Sequence, residues 1–184
     1  MKYLAVLIFS FSILFIACSN TSTDTEISLD MIEESFLNMQ DTRDQLNESH
    51  ISQPFYFVEF DTKTKGNEPK DNLFDLDLLS VNIEKIMTNT DSRNKLYWVH
   101  AKCLDINYDD FSEISIGEKL QVSGKIQTDT IFNNPSLPDL NTEAKSNVFK
   151  TSFENANLVG IPSKDVIGGL VFNLIECEFN PANQ

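Results

Sequence analysis

The sequence predicts a mainly β domain: a small, closed or nearly closed barrel of about five antiparallel strands with one amphipathic helix in front of it, a β-sandwich being the alternative. Three observations predict it. From Gln53 onward apolar residues recur at every second position in five or six segments. One of those segments slips phase in its middle, and another carries a glycine in its inward phase, two devices that bend a sheet toward closure. The chain has 184 residues, 41% of them apolar, enough for one core of ordinary size and too little for two.

The first element is not part of the domain. Lys2 precedes an uncharged apolar run at 3–16, followed by Ala17, Cys18 and a polar stretch, in the order of a secretory signal. As a helix the run would rise only about 21 Å, short of the hydrocarbon core of a bilayer, so a spanning helix is the weaker reading. Phe15, Ile16, Ala17 and Cys18 resemble the lipobox of bacterial lipoproteins, with Phe15 where Leu is more usual. The resemblance implies a diacylglycerol thioether on Cys18 and removal of residues 1–17. Ser19, in place of an aspartate, implies the outer membrane by the rule known for enteric lipoproteins. The expected organisation is a signal peptide at 1–17, a lipidated Cys18 and polar tether at 18–27, and one globular domain at 28–184.

Loss of Lys2 leaves 13 basic against 28 acidic residues, so the mature net charge moves from -14 to -15. Such a surface repels nucleic acid and anionic headgroups alike. Membrane attachment is therefore expected through the N-terminal lipid alone, no nucleic-acid partner is expected, and a basic envelope protein is the partner that this charge suits.

Next comes the helix. Leu29, Ile32, Phe36, Met39 and Leu46 recur at helical spacing across 29–46, with Asp30 and Glu33 as a capping pair; Arg43 interrupts the apolar stripe. The strands follow. Residues 55–60 are aromatic on both faces and read as a buried strand ended by the polar stretch 61–72. Phe74, Leu76 and Leu78 alternate with acidic residues, then the phase passes to Leu79, Val81 and Ile83, which reads as a β-bulge. Tyr97, Val99, Ala101 and Cys103 form one face of a long strand whose other face holds Leu96, Trp98, His100 and Lys102. Leu120, Val122, Gly124 and Ile126 share an inward phase. The segment 129–147, with Pro135 and Pro138, reads as a long polar connection. Residues 148–153 and 156–159 read as a kinked strand, and 170–179 as the last one.

Residues 117–126, 153–159 and 175–179 loosely resemble successive strands of OB-type domains described as tRNA-anticodon-binding-like in exported bacterial proteins. The resemblance implies a barrel and carries no binding residue with it.

Few residues speak for chemistry. Cys103 and Cys177 both fall on apolar strand phases; a disulfide closing a loop of about 75 residues, contributing about 4 kcal/mol, and a pair of buried thiols both remain open. Asp105, Asn107 and Asp109 begin a calcium-loop pattern that fails where Asp110 replaces glycine and Ile116 replaces glutamate. His50 and His100 share no metal spacing with each other or with a cysteine, so no metal or other cofactor is expected. Ser92 and Lys95 match a Ser-x-x-Lys spacing in a turn, where the helix start that activates such a serine is missing. No catalytic constellation emerges, and the chain reads as a non-enzymatic protein-interaction module. The alternative is a glycan- or small-solute-binding barrel using Trp98 and His100 as its ligand face.

Overall fold

A computed structural model describes residues 24–65, 68–87, 92–107, 114–136, 142–155 and 166–181. The signal segment, Cys18, residues 108–110 of the acidic run, 137–141 of the polar connection and 156–159 of the kinked strand lie outside them. Five strands, β1 (His50–Lys65), β2 (Glu68–Met87), β3 (Ser92–Asn107), β4 (Lys119–Asn134) and β5 (Val166–Pro181), close into a barrel in the order β1-β2-β3-β5-β4. This is a small OB-like barrel.

One pair departs from expectation: β3 and β5 run parallel, while the other four pairs are antiparallel. The reason is parity. Direction alternates from neighbour to neighbour in an antiparallel ring, and a ring of five cannot alternate all the way round.

The amphipathic stretch forms two helices, α1 (Leu29–Leu37) and α2 (Met39–Gln45). Asn38 breaks them with an extended backbone (φ -148°, ψ 91°), donating its own N–H to Glu34 and accepting from Asp41 N–H. Ser28, and not Asp30, caps α1, its Oγ accepting from the Met31 amide at 3.3 Å. Ile32 and Leu46 reach the barrel core from these helices. Arg43, the flaw in the stripe, ties α2 to β4 by donating Nε and Nη2 to the Ile131 carbonyl at 3.0 and 2.8 Å. Ahead of α1, Thr25 is stitched to β1: its amide donates to His50 O and its carbonyl accepts from the Ser52 amide.

Phe55, Phe57, Leu76, Leu78, Val99 and Phe172 fill the interior. The phase change in β2 is not a bulge, because pairing with β3 runs unbroken from Leu76↔Cys103 to Met87↔Ser92. Both faces of β2 are buried there: Leu76 and Leu78 point into the barrel, and Leu79 belongs to a second apolar cluster outside it. The register shifts of β2 against its neighbours lie opposite 57–59 and 62–64 of β1, and between Phe74 and Leu76 where it pairs with β3.

What covers Leu79 is a third helix, α3 (Glu143–Asn155), where the sequence reads as connection and kinked strand. The apolar run at 148–153 was too short to separate strand from helix by period. Thr142 starts the helix, its Oγ1 accepting from the Lys145 amide at 3.3 Å. Strands also run further than their apolar cores: β1 through Lys65 and β4 through Asn134, into segments read as polar connections.

Candidate functional site

The outer face of β1, β2 and β3 brings together most of the side chains that could contact another molecule. Helix α3 lies across it, covering its centre, flanking a charged seam, and bounding a groove along the neighbouring edge of β2.

At the centre, Val148, Phe149 and Phe153 of α3 pack on Val58, Leu79, Leu96 and Trp98. Trp98 has no exposed surface, and its indole Nε1 is buried without a hydrogen-bond partner among the described residues. Gly169 of β5 makes room for the ring, since a Cβ there would lie 2.2 Å from Trp98 Cδ2 and 2.4 Å from Trp98 O. The expectation of a Trp98–His100 ligand face is thereby corrected: α3 covers the indole, and only His100 remains at the rim, half-buried.

The seam is built around Asp77, itself only 8% exposed. Its Oδ1 lies 3.2 Å from His100 Nε2 and 3.8 Å from Lys102 Nζ, and Lys102 also reaches Asp61 at 3.1 Å. Nearby, Lys145 of α3 pairs with Glu59 of β1 at 3.4 Å. Burial alone would raise the Asp77 pKa. The His100 hydrogen bond and the charges of His100, Lys102 and Lys145 together outweigh burial and hold the carboxyl below its ordinary value. For Lys102, burial opposes the charge, and Asp77 and Asp61 reverse the effect, so its pKa is raised.

The sign for Asp77 is fixed by that direction. A carboxyl with a depressed folded pKa contributes stability above its unfolded value of about 3.9, and that stability is lost as pH falls through the lower folded value. Asp77→Asn is therefore expected to show a shallower loss of stability below about pH 4, together with a cost of about 1–3 kcal/mol at neutral pH from the broken network. Urea midpoints measured from pH 2 to 7 check both; an unchanged acid limb would remove Asp77 from the account.

The groove has a volume of about 280 Å³ and is lined by Pro54 and Tyr56 of β1, Ser80, Val81, Asn82 and Ile83 of β2, Lys119 of β4, and Ser152 and Asn155 of α3. Lys119 Nζ stands 5.7 Å from the centre of the Tyr56 ring. A wider depression of about 640 Å³, with Val58, Phe60, Ile116 and Glu143 among its walls, lies along the first turns of α3.

Cys103 of β3 and Cys177 of β5 are joined as a disulfide with Cα atoms 6.2 Å apart. The inward glycine of β4 serves this bridge: a Cβ at Gly124 would stand 3.3 Å from Cys177 Sγ and 3.1 Å from Ile175 O. His50 pairs with Asp24 at 2.8 Å on the surface, far in the chain from His100. Lys95 pairs with Glu33 of α1, and Ser92 begins β3, so the Ser-x-x-Lys spacing sits on a strand. Asp105 donates its amide to Asp75 Oδ1 at 3.1 Å. Among the described residues no three His, Cys, Asp or Glu side chains are grouped to hold a metal ion.

Sequence reasoning missed Tyr56, Lys119, Lys145, Ser152 and Asn155. The pairs Val148–Ser152 and Phe149–Phe153, each four apart behind Thr142, were the signal for α3 and hence for the last three.

The chain matches no family model and no curated protein. Among solved structures it is similar to the protein PriB from Ralstonia solanacearum, with 10% identity over 73% of this chain and 97% of that chain, at a TM-score of 0.31. A likeness of that size says nothing about function.

Proposed function

We propose that this is a lipid-anchored cell-envelope protein, held at the outer membrane through Cys18, whose barrel is a non-enzymatic protein-interaction module. The burial of Trp98 beneath α3 carries the choice of a protein partner over a glycan, because the aromatic on which a sugar would stack is withdrawn. The excess of acidic over basic residues, 28 against 14, suits a basic envelope protein, whose approach it would steer. Leu37, Ile116 and Phe132, exposed by 82%, 57% and 49%, are large apolar side chains left available for contacts.

Two measurements test the two halves of the proposal. Cys18→Ser should abolish incorporation of an alkyne-labelled fatty acid, and persistent labelling would exclude Cys18 as the acceptor. Cross-linking in intact cells should recover a defined basic partner whose capture weakens as salt rises. Recovery of no protein, together with protection of the groove by an envelope glycan, would reverse the choice in favour of glycan or small-solute binding.

A further inference from the structure

We propose that the groove between β2 and the last turn of α3 captures the C-terminal tail of a partner protein as an added strand, with the tail's terminal carboxylate against Lys119. This rests on the reading of the domain as an interaction module and names how it would bind.

Residues 80–83 line the groove consecutively. Neighbouring side chains on a strand point to opposite faces, so a cavity touched by four in a row follows the backbone edge of β2 and not one of its faces. That edge is unpaired among the described residues. β2 pairs with β3 as far as Met87, whereas its pairing with β1 begins only at Tyr56↔Leu79; residues 50–55 of β1 pair with β4 and not with β2. The N–H and C=O groups that β2 presents on this side from Ser80 onward are those that an extended peptide completes. The barrel already accepts such an addition on β1, where the backbone of Thr25 bonds to His50 and Ser52.

The slot is closed at one end. A chain lying along β2 from Met87 toward Ser80 runs antiparallel to it and meets the Tyr56↔Leu79 junction, where β1 occupies the edge. There the added strand must stop, so a chain terminus fits and a through-running segment does not. Lys119 pairs in register with Tyr56 at that closed end, is exposed, and makes no ion pair with any described residue. A cation at the blind end selects a carboxyl terminus over an amino terminus. Asn82, Ser152 and Asn155 add hydrogen-bonding side chains along the walls. Beyond the open end, Glu84 is exposed, which favours a tail with a lysine or arginine about four residues before its last.

The test presents the full mature chain with a library of random heptapeptides displayed with free C-termini. Its tightest member is then resynthesised with a carboxylate and with a terminal amide. The carboxylate form should bind, with amidation and Lys119→Ala each weakening it about tenfold or more, and Lys125→Ala on the same strand leaving it unchanged. Hydrogen exchange should show new protection at the amides of residues 80–84. No selected peptide, indifference to amidation, or protection elsewhere would overturn the proposal. So would protection of residues 80–84 by self-association alone, which would give the edge to a second copy of this chain. If cross-linked partner recovery survives Lys119→Ala while no tail binds, the groove proposal falls and the interaction module stands; if no partner is recovered either, both fall.

Discussion

Trp98→Ala is expected to destabilise the domain by about 3–5 kcal/mol, the largest effect of any single side-chain truncation in it. The indole is fully buried between the strand face and α3, and its loss removes the surface on which Phe149 and Phe153 rest. Part of the cost is offset, because the unpartnered Nε1 leaves with the ring and an unsatisfied buried donor costs about 1–3 kcal/mol. Denaturant unfolding measures the sum. A companion variant reports on the helix: Phe149→Ala, with Trp98 intact as the chain's single tryptophan, should shift its emission to the red as α3 loosens. A loss under about 1 kcal/mol for Trp98→Ala would mean that α3 does not depend on the indole.

Removing the Cys103–Cys177 bridge, by replacing both cysteines with alanine, should cost about 2–5 kcal/mol. The bridge spans 74 residues of sequence, so most of the effect arises in the unfolded chain, which regains the freedom that the cross-link denies it. For a domain of this length the melting temperature should fall by about 10 °C. Differential scanning calorimetry of the bridged and cysteine-free proteins checks this. Gly124→Ala supplies an internal control: it crowds Cys177 in the bridged protein and should be better tolerated once the sulfurs are gone. Equal melting of bridged and cysteine-free forms would remove the bridge from the stability account.

The barrel was legible in the sequence because its strands bury one face each, and period two survives wherever only one face is buried. Leu120, Val122, Gly124 and Ile126 of β4, each buried and separated by half-buried residues, are the clearest case. Legibility failed where a second layer covers the sheet. In β2, Leu78 and Leu79 are adjacent and both buried, which alternation alone renders as a bulge; the cause is α3, a non-local element that no window around residues 76–83 contains. The same omission made Trp98 look available as a ligand face. Asn38 was a different failure: the apolar stripe carries through the break at nearly helical spacing, and only the cap geometry of a polar residue marks two helices in place of one. The groove could not be read at all, since its defining property is which backbone groups of β2 lack a described neighbour, and that depends on where the pairing of β1 with β2 stops.

The odd ring has a consequence for the order of assembly. β5, which follows the other four strands in the chain, is inserted between β3 and β4, whose pairings with it span residues 96–103 and 120–134. Until it arrives, β4, β1, β2 and β3 can form only an open four-stranded ribbon whose two outermost strands both present bare backbone. Two adhesive margins therefore stay exposed until β5 is made, and closure waits on a long-range docking step of high contact order. Cys177 lies on β5 and Cys103 on β3, so docking of β5 in native register is what holds the two sulfurs within bonding reach in the folded ring. The covalent link acts as a latch on a completed ring.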